Sequence, residues 1–257
     1  MTGLPELRAG APLRKVSVII PVYNEAETVA QIIDSVADVE LGGLEREIIV
    51  VDDGSTDRTS EVVERVTGRW PGLLTVIRHD HNRGKGAAIQ TALKKVTGDA
   101  VITQDADLEY DPREYPRLLA LFDDPTVWVV YGSRNLRENP RSSWRFYWGG
   151  RLLSWIVNLL YGCHLTDEAT GYKLFRTDLL RSLDLEEDGF AFCPEVTSKV
   201  LRRGIDIHEV PISYSPRGLN EGKKISWRDG LEAIWTLLKY RVRMSGAGPS
   251  HHPECSE

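Results

Sequence analysis

The stretch richest in chemistry is Val101-Ile-Thr-Gln-Asp-Ala-Asp-Leu-Glu-Tyr-Asp-Pro112. A short β-branched apolar run, Ala100 to Thr103, predicts a buried strand that breaks abruptly into acid. Asp105 and Asp107 stand two apart, so in extended backbone both carboxylates leave one face. Hard divalent cations take oxygen ligands, and Mg2+ commonly uses one or two carboxylates together with substrate phosphates. Asp-Ala-Asp is therefore a candidate anchor for a metal and a diphosphate; the plainer alternative is a solvated turn. Pro112, directly after Asp111, predicts the first position of a new helix capped by the aspartate.

Two further acidic clusters follow apolar runs. Pro21-Val-Tyr-Asn-Glu25 comes after Val16 to Ile20, and Asp52-Asp53-Gly54-Ser55 comes after Ile48 to Val51. Each has a modest explanation alone: Glu25 as a helix N-terminal charge, Asp52 and Asp53 as turn formers, Asp57 as a cap. Together, Glu25, Asp53, Asp105 and Asp107 at successive strand ends imply a shared crevice. Carboxylates so gathered repel one another unless a cation or a donor-rich ligand neutralises them.

The elements that must position these residues alternate. Strands are expected at Val16–Pro21, Glu47–Gly54, Leu73–Ile77, Ala100–Thr103 and Val127–Tyr131, with Pro21 ending the first. Val29, Ile32, Ile33 and Val36 make a helical stripe, and Val62, Val63 and Val66 another. His81-Asn-Arg-Gly-Lys-Gly86 is a Gly-rich entry into a helix over Ala87–Val96. This rhythm predicts an α/β fold with a mostly parallel central sheet covered on both faces. In such sheets ligands bind at the C-terminal strand ends.

After Arg134 the rhythm changes to a tryptophan-rich segment (Trp144, Trp148, Trp155), a mixed stretch to Val210, and a basic amphipathic helix. In that helix Trp227, Leu231, Ile234, Trp235 and Leu238 form a stripe behind a Ser226 N-cap. It either lies in a membrane interface or packs on its own domain. Residues 1–13 are expected to be a flexible arm and 244–257 a disordered tail, leaving one domain over 14–243.

The chain has 257 residues and net charge -6, which excludes a general nucleic-acid binder. Residues 134–151 and 217–243 are each +4, which leaves -14 on the rest. Base and the acid of the candidate metal anchor are thus gathered in different segments. Cys163, Cys193 and Cys255 lie far apart without metal spacing and point to a reducing compartment. No apolar run approaches the roughly 18 residues of a membrane span, so the expected location is cytoplasmic, possibly peripheral on the inner face of the membrane.

Val-Ser-Val-Ile-Ile-Pro-Val-Tyr-Asn-Glu, Val-Val-Asp-Asp-Gly-Ser-Thr-Asp and Asp-Ala-Asp-Leu-Glu resemble the family 2 glycosyltransferases of the GT-A fold. Gly132-Ser-Arg134 and the Arg217–Lys224 segment resemble, more narrowly, the dolichyl or polyprenyl phosphate mannosyl- and glucosyltransferases. The resemblance implies a nucleotide-sugar-binding half over 14–134 and an acceptor-binding half over 135–243. It implies that Pro21, Tyr23 and Glu25 line the nucleotide site and that Asp53 hydrogen-bonds the base. Asp105 and Asp107, with Ala106 between them, would hold Mg2+ or Mn2+ and the sugar diphosphate. Lys85 would face that diphosphate, and a flexible loop is the alternative there. The donor would be of the GDP-mannose or UDP-glucose type, and transfer would invert the anomeric centre.

A polyprenyl phosphate is largely ionised at neutral pH and needs charge screening, not a base. Arg134, Arg217 and Lys223 are the candidates for that, Lys224 having a solvated loop as its equal alternative. A hydroxyl acceptor on a soluble small molecule or glycan would instead require a carboxylate base, and the family resemblance implies Asp167 or Glu168 for it. The resembled subgroup shows Ser-Gly-aromatic near here, where this chain has Thr170-Gly171-Tyr172. A sugar-nucleotidylyltransferase would open with a basic Gly-rich loop after the first strand, and Pro21-Val-Tyr-Asn-Glu25 is not one. A binding scaffold would not require both acids of the Asp-x-Asp pair.

Overall fold

The computed structural model describes residues 10–140, 144–217 and 227–243. Seven strands form one sheet: β1 (Lys15–Val22), β2 (Glu45–Asp52), β3 (Leu74–Arg78), β4 (Ala100–Thr103), β5 (Val129–Ser133), β6 (Lys173–Arg176) and β7 (Ile207–Pro211). Their order is β3-β2-β1-β4-β6-β5-β7, and only β6 runs antiparallel, to both its neighbours. β1 lies between β2 and β4 with the strand order reversing beside it, so the crevice opens at the C-terminal ends of β1 and β4.

Alternation along the strands supplies two cores. Val16, Val18, Ile20 and Val22 of β1 and Ile48 and Val50 of β2 belong to one cluster. There they meet Val29, Ile32, Ile33 and Val36, the stripe of helix α1 (Val29–Asp38). Helices α2 (Thr59–Thr67) and α4 (Tyr115–Leu119) cover the same face. Ile19, Ile49 and Val51 face the other way. They pack with α3 (Lys85–Leu93), α6 (Thr177–Ser182) and α7 (Phe192–Arg202). Strands buried on both sides are continuous apolar runs, which is why the sequence pattern was readable.

Two expectations shift. β1 runs through Pro21 to Val22 instead of ending at the proline. The carbonyl of Ile19 accepts from Gln104 N (2.9 Å) on the β4 side, and residue 21 faces that side beyond the last β4 pair, Thr103 with Ile19. The missing N–H of Pro21 therefore costs no ladder bond. Residues 10–13, assigned to the arm, are held: Gly10 N donates to Pro125 O (2.8 Å) and Arg176 Nη1 to Ala11 O (2.6 Å). The tail 244–257 and the Ser226 cap lie outside the described residues.

The remaining helices are α5 (Trp144–Tyr161) and α8 (Trp227–Arg243). Asp111 accepts from Arg113 N (3.0 Å) and caps a short 3-10 turn that begins at Pro112 and leads into α4.

The end of the sheet opposite the crevice is held by Glu47. It accepts from Ser17 Oγ (2.5 Å), Thr97 N (2.6 Å) and Thr97 Oγ1 (2.6 Å), and pairs with Lys15 (2.9 Å). Burial alone would raise its carboxyl, but the hydrogen bonds from Ser17, Thr97 and Lys15 outweigh it and lower the pKa from 4.5 to about 2. A depressed carboxyl stabilises the fold above its unfolded pKa, and that stability is lost as pH falls through the folded value. Glu47→Gln is expected to cost about 1–2 kcal/mol at neutral pH. In urea melts at a series of pH values, the variant's stability should also fall less than the parent's on acidification from about pH 4.5 to about pH 2.

Candidate active site

β4 ends at Thr103, and Gln104 is held firmly beneath the acids that follow. Its Oε1 accepts from Tyr115 OH (2.6 Å) and Tyr172 OH (2.7 Å), and its Nε2 donates to Asp105 O (2.9 Å). Beyond Asp107 the chain reverses through Leu108, whose φ of 61° is a left-handed conformation that a leucine adopts only at a cost of order 1 kcal/mol. The turn lets Asp107 Oδ1 accept from Glu109 N (3.1 Å), leaving Asp105, Asp107 and Glu109 crowded together.

The crowding has an electrostatic consequence. Burial, then the charges of Asp105 and Glu109, push the Asp107 carboxyl up from 3.8 to about 7, with Arg217 opposing. Asp105 forms an ion pair with Lys85, the first residue of α3. Gly171 approaches so closely that a Cβ there would stand 2.5 Å from Asp105 Oδ2. The glycine of Thr170-Gly171-Tyr172 is thus required by the fit against the acid.

The expected nucleotide-side residues divide. Pro21 lies in β1, and Tyr23 and Glu25 follow it in the loop before α1, all three partly exposed. Asp53, expected to meet the base, is only 3% exposed and turned inward. It accepts from His79 Nδ1 (2.7 Å), Arg83 N (2.9 Å) and Gly84 N (2.7 Å). In this structure it therefore holds the 81–86 loop and so sets where Lys85 stands. Gly84 takes φ 97° there, with Asp188 O where a side chain would be. Ala106, expected in the donor site, has its side chain buried in the α1-side core.

Of the residues expected to meet the acceptor, Arg134 is bound by Asp167 through three hydrogen bonds. Its backbone N (2.9 Å) and Nε (2.7 Å) donate to Oδ2, and Nη2 to Oδ1 (2.7 Å). Its guanidinium lies over the Tyr214 ring, 5.2 Å from the centroid. Burial opposes its charge most strongly, but Asp167 together with Tyr110 and Tyr214 outweighs burial and raises the pKa. Asp167 is 0% exposed and also donates its N–H to Glu209 Oε1 (2.9 Å). Glu168, 1% exposed, accepts from Thr197 Oγ1 (3.2 Å), and burial raises its carboxyl. Both acids expected as a base are buried in this structure, and Asp167 is engaged with Arg134.

Arg217 spans the crevice. Its Nη2 donates to Glu25 Oε2 (2.6 Å), its Nε to Asp107 O (2.9 Å) and its backbone N to Glu109 Oε1 (2.9 Å). It thereby ties the β1 end to the β4 end, a contact between residues 192 positions apart. Lys223 and Lys224 lie outside the described residues. Sequence reasoning missed Glu109, Tyr110 and Tyr214 as parts of the site. Tyr110 OH accepts from Gly171 N (2.8 Å) and Tyr214 OH donates to Glu109 Oε2 (2.8 Å). The only signal was their place directly after the Asp-x-Asp pair and before Arg217.

The donor set fits a hard divalent cation such as Mg2+ or Mn2+. Asp105 and Asp107 offer oxygen only, and a cation would relieve the repulsion that holds the Asp107 proton. Among the described residues no group of three or more His, Cys, Asp or Glu could hold a metal ion. Mg2+ commonly takes one or two carboxylates from the protein, with water and phosphate oxygens completing its shell.

Comparison with known proteins agrees with this architecture. Residues 17–184 match the model of glycosyl transferase family 2, well over half the chain. Over 209 residues the chain is 29% identical to the undecaprenyl-phosphate 4-deoxy-4-formamido-L-arabinose transferase of Edwardsiella ictaluri (strain 93-146). The match takes in 81% of this chain and 62% of that relative's length. The fold resembles glucosyl-3-phosphoglycerate synthase from Mycobacterium tuberculosis crystallised with Mn2+, UDP and glucosyl-3-phosphoglycerate. The TM-score is 0.69 at 24% identity, covering 88% of this chain and 80% of that one. The same enzyme with Mg2+ and UDP gives 0.68 at 24% identity, covering 88% and 79%. With a seven-stranded, mostly parallel sheet of GT-A architecture and this family match, the chain belongs to glycosyl transferase family 2.

Proposed function

We propose that this chain moves a hexose from a nucleoside-diphosphate sugar to a polyprenyl phosphate with inversion, using Mg2+ or Mn2+. The observation that carries the acceptor class is the engagement of Asp167 with Arg134. The acids available as a hydroxyl-activating base are buried, while a guanidinium is held ready in their place. A phosphate acceptor needs that cation and needs no base. The relative that transfers to undecaprenyl phosphate supports the same class.

In this reading the halves 14–134 and 135–243 bind donor and acceptor respectively. Pro21, Tyr23 and Glu25 border the nucleotide, and Asp53 acts by shaping the Lys85 loop. Asp105 and Asp107 would hold the metal, which would supply positive charge to the diphosphate leaving group. Lys85 exchanges Asp105 for the incoming diphosphate, a cation already within the site. Arg134, with Arg217 and Lys223, screens the acceptor phosphate so that its oxygen approaches the anomeric carbon from behind. One C–O bond forms to the acceptor as the C–O bond to the nucleoside diphosphate breaks. Preorganised charge and positioning are the two rate-raising effects here.

The deciding experiment supplies radiolabelled GDP-mannose or UDP-glucose with Mn2+ or Mg2+ and a short polyprenyl phosphate. Organic-soluble label that chelator abolishes is the expected result. Nucleoside diphosphate release without lipid product overturns the acceptor class.

Two variants probe the site. Asp107→Asn should lose roughly 100-fold or more in metal-dependent turnover while staying folded. In the parent, a carboxyl titrating near 7 must lose its proton to bind metal, so calorimetry should show Mn2+ binding weakening as pH falls below about 7. Asp167→Asn removes the charge that orients Arg134. The acceptor KM should rise several-fold with the pH profile unchanged. A collapse of kcat with loss of the acidic limb would restore Asp167 as a base.

A further inference from the structure

Exposed large apolar side chains are not scattered over this molecule. Among the described residues twelve are exposed, and nine of them lie on α5 and α8. On α5 these are Trp144, Trp148, Leu152, Trp155 and Leu159, spaced four, four, three and four apart along one face. On α8 they are Leu231, Trp235, Leu238 and Val242, spaced four, three and four. At 1.5 Å per residue the rows are about 22 Å and about 16 Å long. Trp235 is 67% exposed and Leu159 is 68% exposed.

Both helices are already anchored on their other sides. Val157 of α5 and Leu237 of α8 share a buried cluster with Leu165. Tyr161 OH, in the last turn of α5, donates to Leu237 O (2.8 Å), and the Arg241 guanidinium stands over the Tyr161 ring (5.8 Å). Ala233, Thr236 and Tyr240 complete the buried side of α8. The outward rows are therefore additional to the packing faces, and each helix is apolar on two opposite sides. Ordinary surface helices carry polar residues on the outer side. The two alternatives left by the sequence of α8 are not exclusive, because it packs on its own domain and also exposes an apolar row.

We propose that the outer rows of α5 and α8 lie in the plane of an anionic lipid bilayer. Charge favours that occupant. The two helices carry Arg145, Arg151, Arg228, Arg241 and Arg243, besides a Lys239 already paired with Glu187 (2.6 Å), against only Asp229 and Glu232, in a chain of net charge -6. A second copy would bring like charge against like, whereas anionic headgroups complement it. Tryptophan beside arginine is also the composition of the membrane interface. No described helix is long and apolar enough to cross a membrane, so the contact is in-plane. Residues 1–9, 141–143, 218–226 and 244–257 together hold six large aliphatic side chains, too few to cover nine.

This surface extends the lipid-phosphate reading, but it is tested without donor or acceptor, so the two fail separately. The full chain is sedimented with phosphatidylcholine vesicles, with or without phosphatidylglycerol, at low and high salt. Co-sedimentation with the anionic vesicles, weakened by salt and accompanied by a blue shift of tryptophan emission, is expected. Trp148→Ser, Trp155→Ser and Trp235→Ser replace exposed side chains, so circular dichroism should be unchanged while vesicle affinity falls roughly tenfold for each. Arg151→Glu with Arg228→Glu should abolish the preference for anionic vesicles. Absence of vesicle binding, or binding that these variants do not weaken, overturns the proposal. So does a dimer that the tryptophan variants dissolve in a chain that ignores vesicles.

Discussion

The structure depends on keeping several carboxylates together at one edge of a sheet. Asp105, Asp107 and Glu109 follow β4, Glu25 follows β1, and each is held by groups drawn from elsewhere in the chain. Lys85 reaches Asp105 from α3, Arg217 reaches Glu25 from beyond β7, and Asp107 is left with an elevated pKa. Removing any one cation would leave a half-buried charge uncompensated, which is costlier than never having formed the pair. The fold thus holds an acid-rich crevice with its own cations as partial counter-charge, a state that a metal and a diphosphate can complete together.

That arrangement explains the work done by residues away from the reacting groups. Asp53 fixes the loop that carries Lys85, Gln104 fixes the backbone of Asp105, and Asp167 fixes the orientation of Arg134. Each supporting group is buried and hydrogen-bonded on more than one side. Side chains locked in this way need little reorganisation when charge develops nearby, which is where much of an enzyme's rate advantage arises. The acids of the site stand at the ends of strands β1, β2 and β4, and its cations come from the start of α3, the end of β5 and the segment after β7.

Much of this was legible. The strand at Ala100–Thr103, the stripe of α1 and the Asp111 cap before Pro112 appear where their patterns put them. Buried parallel strands leave an apolar run that ends in polar residues, so strand ends and their acids are visible together. The partners of Asp53 and Asp167 were not legible. An aspartate looks the same in sequence whether it faces a ligand or accepts from His79, Arg83 and Gly84, and burial alone separates the two. Pro21 was misplaced for a similar reason: whether its missing N–H matters depends on where the neighbouring strand stops.

The sequence by itself determined the sheet-forming runs, the placing of acids after them, and family membership, because these are local patterns or runs of matching residues. Tertiary structure decided which acids are open and which are committed to a partner. It brought Arg217 to Glu25 and Arg134 to Asp167, across separations no local pattern encodes. It also decided that α8, readable as an amphipathic helix, and α5, readable only as a tryptophan-rich segment, each bury one apolar side and expose another. Periodicity reports that a helix has an apolar face; only packing against a neighbour reports whether that face is already covered.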